Sequence, residues 1–510
     1  MRVSLRHGPP ATALFIDYLE NWSRVQPFYP QSWSLDSIQR FALARPALDS
    51  AHRSRLCSVL AEQHLRWGAG QRGVEKLQSG AVAVITGQQP VLFTGPLFSI
   101  LKAMTAIKIA ARLEQAGVKA VPVFWVASED HDFAEIESTS VLNRNSELCR
   151  VAVDLSGEEP APAGWLRFRD DVRDAVAKCL ENLPQSEFIP ELKTLLESSY
   201  QPGVSPVDAF ATMMASLFAG TDLTFVDPLH QELKALAQPT VDLAIARNAE
   251  MRAALMARNR ALSAAGYHAQ VKVDQNFTGL FAYRGRSRQA LRPNELGERI
   301  SWSPNVLLRP VVQDTLFPTV TYIGGPAEVA YFAQAAAVYE TLGRPMPPIF
   351  PRISATLVEH RVAKSAEKYG MEMSDVFQGR EYLKRQAVAA TSDDDGFERV
   401  RLRIGEELES LRPLLGSVDA TLIGALDTSR QKVMHQVEGL KGKYVNAVAR
   451  RDETIERHLD AICNSLYPEK KPQERVINIA SFIARYGRGV LPRLMERLSL
   501  DVREHQVVEI

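Results

Sequence analysis

Cysteine is scarce in this chain of 510 residues. Only four are present, Cys57, Cys149, Cys179 and Cys463, and no two of them form a CxxC pair. The low number and the wide spacing exclude a disulfide framework and a zinc ribbon. We therefore expect reduced and mostly buried thiols in a cytoplasmic protein.

A surplus of charge of either sign is also missing. Lys+Arg and Asp+Glu both number 60. Because non-specific binding to nucleic acid or to an anionic membrane surface needs a basic excess, we expect neither partner. The 45% of hydrophobic and 24% of charged residues are typical of a soluble globular protein. The length predicts two or three folding units.

The sequence offers no apolar run that fits a signal peptide or a membrane span. Its first residues, MRVSLRHGPPATALF, lack both the apolar core and the small-residue cleavage site of a signal peptide. Residues 81–101 carry no charge, but Gly87, Gln88, Pro90 and Pro96 interrupt them. These residues would break a membrane helix and bury amide groups in lipid, so we predict no span.

A β-loop-α-β unit follows a mainly helical N-terminal region of about 80 residues. The apolar runs AVAVIT (81–86) and AVPVFWVA (120–127) predict two buried strands. The loop 87–96 and a helix ending near Gly117 lie between them. Such strands lie parallel in one sheet, and ligands bind outside the carboxyl ends of parallel strands. The loop 87–96 and the residues after 127 should therefore share one edge.

The second strand ends in Ser128-Glu129-Asp130-His131-Asp132. One of the acids or the imidazole could accept a proton from an attacking amine, or hold a substrate ammonium or hydroxyl group. A divalent-cation site is an alternative, although successive residues rarely converge on one metal. A solvated acidic loop with a helix cap is the structural alternative. The position at the ligand edge favours the functional interpretation.

The loop 87–96 matches neither GxGxxG nor a Walker A pattern. Thr94 and Gly95 precede Pro96, a residue that favours the first turn of a helix, so exposed amides there could receive a phosphate or a carboxylate. An ordinary strand-to-helix turn explains the loop equally well. Lys102, in the following helix, could reach the same phosphate or be a surface lysine.

Residues 305–334 predict another strand, loop and helix. Arg309 follows NVLL, which we interpret as a strand, and could clamp a carboxylate with two hydrogen bonds or form a structural ion pair. Gly324 and Gly325 form a tight loop before a helix. Glu328 would lie in the first turn of that helix, where the helix dipole alone accounts for an acid.

The character of the chain changes at about residue 380. Val433, Val437, Leu440 and Tyr444 follow heptad spacing, and a second heptad seam comprises Ile455, Leu459, Ile462 and Leu466. A looser seam comprises Val400, Ile404, Leu408, Leu411 and Leu415. Gly416 and Asp419 lie between the looser seam and the seam that starts at Val433. Gly416 should end the earlier helix there, and Asp419 should cap the next one. We predict an antiparallel coiled-coil arm that dimerises or packs only on itself.

These patterns divide the chain into three parts. We expect an α/β core over 1–355 with insertions near 150–205 and 260–300, a helical arm over 356–469, and a segment 470–510 that packs back on the core.

Several segments together resemble the BshC family, the proposed cysteine ligases of bacillithiol biosynthesis. They are TGQQ, TGPLFSILKA, VFWVASEDHDFAE, LLRPVVQDTLFPTVTYIGGPAEVAYFAQ and PQER, which occur in the expected order from about residue 83 to 475. No single segment is decisive, but the set is specific.

The resemblance implies a Rossmann-like fold similar to class I aminoacyl-tRNA synthetases and nucleotidyltransferases, with connecting-peptide insertions and a coiled-coil arm used for homodimerisation. It implies ligation of cysteine to glucosaminyl-malate, the last step of bacillithiol synthesis, with ATP as the expected energy source. The chain departs from the synthetase pattern, because it contains neither HxGH nor KMSKS. ATP use is thus inferred from the fold and the chemistry.

Under this resemblance we assign candidate roles as follows. The catalytic candidates are Asp130, His131 and Asp132, and no metal ligand is assigned. The nucleotide-binding candidates are Gly87, Thr94, Gly95 and Lys102. The substrate-binding candidates are Gln88, Glu129, Asn305, Arg309, Gln313, Asp314, Tyr322, Gly324 and Gly325. Of these, Arg309 would clamp the malyl group, and Gln313 and Tyr322 would bond sugar hydroxyls.

Two other functions stay open at this stage. The chain could be a nucleotidyltransferase or adenylating enzyme that does not use cysteine. It could also be a coiled-coil protein whose core binds a small ligand without catalysis.

Overall fold

The chain contains two compact units. A computed structural model describes residues 1–4, 6, 8–155, 161–297, 301–391 and 395–510. The first unit comprises 1–144, 148–356 and 471–508, and the second comprises 145–147, 357–470 and 509–510.

The first unit is built on a parallel sheet of five strands, as the sequence predicts. Its strands are β2 (Val82–Gln88), β3 (Ala120–Val126), β6 (Thr224–Val226), β10 (Thr319–Gly324) and β11 (Ile349–Pro351). The strand order is β11-β10-β2-β3-β6, and every neighbouring pair in the sheet runs parallel. All seven residues of β3 are buried. Near-continuous apolar runs of this kind fit a sheet covered on both faces.

Helices cover this sheet, so charged groups reach it mainly at its ends. The N-terminal region is helical as expected, with α1 (Ala13–Glu20), α2 (Trp22–Val25), α3 (Leu35–Ala44), α4 (Ser50–Trp67) and α5 (Arg72–Gln78). The crossover helix between β2 and β3 is α6 (Phe98–Gln115), which Gly117 follows with a φ of +82°. The later helices are α10 (Pro206–Leu217), α11 (Gln231–Ala246), α12 (Asn248–Ala264), α13 (Arg309–Leu316), α14 (Pro326–Thr341), α22 (Ala480–Tyr486) and α23 (Val490–Arg497).

Two insertions interrupt the core at 133–199 and 280–304, and the bounds that we predicted for them, near 150–205 and 260–300, stay predictions. The first contains α7 (Phe133–Ile136), the antiparallel hairpin β4 (Ser138–Leu142) and β5 (Leu148–Ala152), α8 (Asp171–Asn182) and α9 (Ile189–Ser199). The second contains β7 (Leu280–Arg284), β8 (Ser287–Ala290) and β9 (Trp302–Pro304), a small antiparallel sheet. The parts of our predicted insertions at 156–160 and 298–300 lie outside the described residues. The remaining strands are β1 (Arg2–Val3), β12 (Ala355–Val358) and β13 (His505–Glu509).

The second unit is helical. It contains α15 (His360–Lys368), α16 (Met373–Val376), α17 (Arg380–Thr391), α18 (Asp395–Ser410), α19 (Arg412–Val418), α20 (Thr421–Arg451) and α21 (Glu453–Leu466). The chain reverses at Asp419, whose carboxylate accepts a hydrogen bond from the Thr421 amide at 2.8 Å.

The predicted seams of the arm differ in burial. Ile455, Leu459, Ile462 and Leu466 are all buried, as a packed seam requires. Leu440 and Val400, by contrast, are 60% and 49% exposed. The seam predicted for α21 is therefore buried within the chain. Leu440 and Val400 are not buried within the chain, because α18 and α20 pack on each other along only part of their predicted seams.

The segment before Arg309 is not the strand that we predicted. Asn305 to Leu308 form a turn, and Arg309 is the first residue of α13, with Pro310 in its first turn. The Asn305 side chain accepts hydrogen bonds from the amides of Leu307 and Leu308, both at 3.0 Å. Proline and this local cap favour a helix start, which apolar character alone does not reveal.

Among the helices of the described residues, we find none that combines the length and the apolar character needed to cross a membrane.

Candidate active site

The carboxyl ends of β2 and β3 carry polar side chains that meet. Gln89 follows β2, and its Nε2 donates to Asp130 Oδ2 at 2.8 Å. The loop after β2 and the Ser128–Asp132 tip, which follows β3, therefore lie on one edge of the sheet, as their sequence positions predict.

Lys102 connects this edge to the end of β10. Its Nζ lies 2.8 Å from Gly87 O, 3.0 Å from Gln88 Oε1 and 2.7 Å from Glu328 Oε2. Burial lowers the pKa of Lys102, and Glu328 offsets part of that effect. Lys102 is thus not a surface lysine, and all three of its protons have protein partners. The ammonium has no free donor in this structure, and the phosphate-binding role that we gave Lys102 stays a prediction.

Glu328 is both a helix cap and one half of a buried ion pair. Its Oε2 accepts from the Gly325 amide at 2.7 Å, and its Oε1 accepts from Tyr322 Oη at 2.8 Å. Burial would raise the pKa of Glu328, but Lys102 and these hydrogen bonds hold it below the usual range. The cap that we expected at this position is present, together with an ion pair that we did not expect.

Arg309 continues the network, and its hydrogen-bond partners are all neutral. It donates to Gln313 Oε1 at 3.1 Å, to Tyr331 Oη at 2.9 Å and to Tyr322 Oη at 3.4 Å. Within the described residues, Arg309 has no carboxylate within 4 Å, so the structural ion pair considered above is absent there. Glu328 acts on Arg309 only at longer range, and a half-buried guanidinium with no carboxylate in direct contact is a ready partner for a ligand carboxylate.

Three other predicted substrate-binding side chains have structural partners. The Asn305 side chain caps the turn before α13. Gln313 is buried and contacts Arg309 and Asp314. The Asp314 carboxylate accepts from Tyr339 Oη at 2.5 Å, and burial raises its pKa. These groups bond to the protein itself, and the substrate contacts that we assigned to them stay predictions.

Glu129, at the acidic tip, is neutralised. It is buried, forms an ion pair with Lys234 and accepts from Tyr283 Oη at 3.0 Å. Lys234 also lies 4.4 Å from the centre of the Trp302 ring. Glu129 thus connects the tip to α11 and to the second insertion, and its assignment to substrate binding stays a prediction.

His131 faces an arginine from the second insertion. Its Nδ1 lies 3.0 Å from Arg288 Nη1. Burial and the Arg288 charge lower the pKa of His131, whereas Asp130 and Asp132 oppose that shift.

Asp130 is the half-buried acid of the tip that lacks a cationic partner. Its oxygens accept from Gln89 Nε2 and from the His131 amide, both at 2.8 Å. In the described part of the chain, neither Asp130 nor the exposed Asp132 forms an ion pair. After internal pairing, the edge thus retains an unpaired anion at Asp130 and an unpaired cation at Arg309.

The loop 92–97 is closed rather than open to a ligand. The Thr94 amide donates to Tyr200 Oη at 3.2 Å, and the amides of Gly95 and Leu97 donate to Leu92 O and Ile477 O at 3.0 and 2.9 Å. These amides already have protein acceptors, so the exposed amides that we predicted for phosphate binding are absent at Thr94 and Gly95.

Glycine is required in this region for close approach and for turns. A Cβ on Gly87 would lie 2.8 Å from Trp125 O, and one on Gly95 would lie 2.8 Å from Val91 Cβ. Gly95 also has a φ of +69°. A Cβ on Gly324 or Gly325 would meet Glu328 atoms at 3.1 and 3.4 Å. The absence of a Cβ at Gly87 and Gly95 thus allows the backbone to approach its neighbours closely at this edge.

A separate cavity of about 230 Å³ lies beside the start of α14 in the same unit. Arg352, Arg475 and Arg503 line it, together with apolar side chains such as Trp33 and Phe350. It offers the guanidinium donors that the loop 92–97 lacks.

Sequence reasoning missed Gln89, Lys234, Tyr283 and Arg288. Gln89 could have been predicted, because it follows Gln88 at the end of a predicted strand. The other three lie in α11 or in the second insertion, and no local pattern relates them to a tip more than 100 residues away.

The residues that the structure describes contain no group of three or more His, Cys, Asp or Glu side chains arranged to hold a metal ion.

Comparisons with known proteins match the chain along its length. A family model described as "Bacillithiol biosynthesis BshC, N-terminal Rossmann-like domain" matches residues 1–299 and 297–353. A second, "Bacillithiol biosynthesis BshC, C-terminal coiled-coil domain", matches 355–510.

Curated relatives carry the name "Putative cysteine ligase BshC". The protein of Koribacter versatilis is 36% identical over 535 residues, covering 100% of this chain and 99% of the relative. That of Salinibacter ruber is 36% identical, with 98% of each chain covered. That of Geobacillus thermodenitrificans is 28% identical, with the same coverage.

Proposed function

We infer that this chain, which belongs to the BshC family of bacillithiol biosynthesis, is a ligase that joins the carboxyl group of cysteine to the amine of glucosaminyl-malate. The product would be bacillithiol, so that this reaction would be the last step of its synthesis. Support comes from full-length similarity to relatives named as cysteine ligases and from the charges left unpaired at the sheet edge.

The reaction needs an activated carboxyl group. A carboxylate does not condense with an amine in water, because hydroxide would have to leave. We propose that ATP activates cysteine as an acyl-adenylate, with release of pyrophosphate. The amine then attacks the acyl carbon, the amide bond forms, AMP leaves, and the proton of the amine passes to a base on the enzyme.

The observation that carries this proposal is the pair of unpaired charges at Asp130 and Arg309. Hydrogen bonds connect Asp130 to Gln89, and they connect Gln88, the covalent neighbour of Gln89, to Arg309 through Lys102, Glu328 and Tyr322. Asp130 is our first candidate for the base that accepts the proton of the amine, and His131 is the second. Arg309 would bind a carboxylate of the malyl group with its guanidinium.

We place the ATP phosphates in the arginine-lined cavity rather than at Thr94 and Gly95. In the described residues, Arg475 is exposed and forms no ion pair, so its charge is available to a phosphate. We expect Arg475→Met to raise KM for ATP with little effect on KM for cysteine. An unchanged KM for ATP would rule out this placement.

The decisive experiment combines purified protein, glucosaminyl-malate, ATP and each amino acid in turn, with the product identified by mass. We expect the cysteine adduct together with AMP. An adduct with another amino acid would indicate an adenylating enzyme of different specificity. No adduct with any amino acid, from folded protein that binds ligand, would indicate a non-catalytic binding protein.

Asp130→Asn tests the base, with Asp132→Asn as the matched control. We expect the first variant to lower kcat about 100-fold and the second to have little effect. Wild-type rates from both Asp130→Asn and His131→Ala would eliminate the assignment of the base to this tip.

We also propose that the arm forms a homodimer and that the protein works in the cytoplasm. Apolar residues of the second unit, including Leu414 and Val418, are 63% and 75% exposed, which supports a further partner for that surface. The four cysteines are free thiols, which supports a reducing compartment. Light scattering should give twice the chain mass, and Leu414→Glu/Val418→Glu should give the monomer.

A further inference from the structure

The hairpin of β7 and β8 presents one face to the acidic tip. Tyr283 lies directly opposite Arg288 in the hairpin register, and Phe281 lies two residues before Tyr283. Side chains alternate along a strand and directly paired residues share a face, so Phe281, Tyr283 and Arg288 point the same way. Tyr283 reaches Glu129 and Arg288 reaches His131.

The Arg288 guanidinium is held on several sides. Its Nε donates to Ser303 Oγ at 3.0 Å, and its Nη2 donates to Pro304 O at 3.1 Å. Its Cζ lies 3.8 Å from the centre of the Phe281 ring. These contacts leave Nη1 pointing at His131 Nδ1, 3.0 Å away. The position of this donor is therefore set by the hairpin and β9.

This contact determines where the His131 proton lies. A guanidinium only donates hydrogen bonds, so Nδ1 must accept, and the neutral ring then carries its proton on Nε2. In the described residues, Nε2 has no protein partner, and the side chain is half-buried. Burial and Arg288 also lower the pKa of His131 against Asp130 and Asp132, which favours the neutral ring. The lone pair that a general base would use is already engaged by Arg288.

We propose that Arg288 is a positioning residue that holds His131 in its Nε2–H tautomer, so that His131 donates a hydrogen bond to an anionic oxygen of the acyl substrate and does not act as the general base. This role rests on the proposed ligase function. It leaves Asp130 as the base of the tip. When the amine attacks, negative charge develops on the acyl oxygen, and a fixed neutral donor stabilises that charge.

Selective labelling reads the tautomer directly. The full-length, ligand-free protein is prepared with histidine carrying ¹⁵N only at Nδ1, and solid-state NMR spectra are recorded at neutral pH. The spectrum of His131→Gln is subtracted to assign the His131 signal. We expect Nδ1 in the unprotonated range, and a shift toward the protonated range in Arg288→Gln. Arg284→Gln, an exposed arginine of the same hairpin, should leave the signal unchanged.

A protonated Nδ1 in the wild-type protein would overturn the proposal. An Nδ1 signal that is the same in Arg288→Gln and in the wild type would overturn the part played by Arg288.

Kinetics separate a donor from a base. The amide of glutamine can donate where His131 Nε2 donates, but it cannot accept a proton in catalysis. We expect His131→Ala to lower kcat about 100-fold and His131→Gln to retain about tenfold more activity than that. Equal loss of activity in both variants, with both folded by circular dichroism, would overturn the donor role.

The two proposals can fail separately. If the wild-type protein makes no cysteine adduct, the ligase function fails, whereas the NMR experiment still reports the tautomer of the ligand-free protein. If the adduct forms and Nδ1 is protonated, the ligase function stands and the role of Arg288 fails.

Discussion

At the scale of single residues, the candidate site is best understood through the ionic groups that remain after internal pairing. Glu129 is paired with Lys234, and Glu328 with Lys102, so these four groups hold the edge together. Asp130 and Arg309 form no ion pair within the described residues, so each can bind a ligand group of opposite charge. The same residue types thus serve structure or binding according to whether an opposite charge lies within reach.

Arg309 should contribute specifically to binding of the malyl carboxylates. We expect Arg309→Met to raise KM for glucosaminyl-malate about tenfold or more, since charge-assisted hydrogen bonds are worth about 1.5–3 kcal/mol. KM for cysteine should change little. Steady-state kinetics with each substrate varied in turn tests this, and Arg284→Met provides an exposed control. Equal changes in both KM values would contradict a malyl-specific role.

Lys102 should matter to stability more than any exposed lysine. Lys102→Met leaves the Glu328 carboxylate, which is only 18% exposed, without its cation, and we expect a cost of about 3 kcal/mol, the low end of the range for a broken buried pair. Lys76→Met, which removes partly exposed ion pairs with Glu114 and Asp222, should cost about 1 kcal/mol or less. Urea unfolding followed by tryptophan fluorescence measures both, because all six tryptophans lie in the first unit. Similar losses in the two variants would argue against the buried pair as a stabilising feature.

At the scale of elements, the sequence predicts the structural features that depend on residues close together in the chain. The apolar runs at 81–86 and 120–127 predict buried strands, and their polar ends predict the ligand edge. The same reasoning failed at residues 305–308, where an apolar run precedes a proline and forms a turn and a helix start. Sequence patterns could not identify Arg288 as a site residue, because its contact with His131 joins residues 157 positions apart. Pairings of this kind follow from tertiary packing, which no local pattern encodes.

The loop before α6 provides a test at this scale. Gly95 and Gly117 both have positive φ, but only Gly95 lacks room for a side chain, since Val91 Cβ lies 2.8 Å from the added carbon. Alanine at Gly117 should cost about 1 kcal/mol for the backbone conformation, whereas Gly95, with φ +69° and ψ −160°, lies in a region that essentially only glycine adopts, at a cost of about 1–3 kcal/mol. We expect Gly95→Ala to cost about 1–3 kcal/mol more than Gly117→Ala, because backbone strain and overpacking act together at Gly95. Urea midpoints measure the difference, and equal midpoints would contradict the steric argument.

At the scale of the whole molecule, the first unit includes chain segments from both ends of the sequence. Residues 471–508 belong to it by contacts, although the family model for the coiled-coil domain extends to residue 510. His505 is fully buried there, and its ring nitrogens lie 2.8 Å from Ser354 Oγ and from Thr356 Oγ1. Burial lowers the pKa of His505 to about 4.

His505 should make the stability of the first unit depend on pH. An unfolded histidine binds a proton near pH 6.5 and the folded one only near pH 4, so falling pH favours unfolding between these values. The stabilisation lost across this window is about 3 kcal/mol at most. We expect His505→Gln to flatten the pH dependence of the urea midpoint, and His360→Gln, at an exposed position, to leave it unchanged. A slope in His505→Gln equal to that of the wild type would contradict this assignment.

The anchoring of the loop before α6 has a consequence for synthesis on the ribosome. Asn478 Nδ2 donates to Phe93 O and to Gly95 O, both at 2.8 Å, and 385 residues separate Asn478 from Phe93. At about 5–20 residues per second, the nascent loop waits roughly 20–80 s for this anchor to be translated. Until then the carbonyl groups of Phe93 and Gly95 lack this partner, and a ribosome that stalls within the arm would leave the loop without its anchor. Slow translation of the arm would therefore lower the yield of active protein.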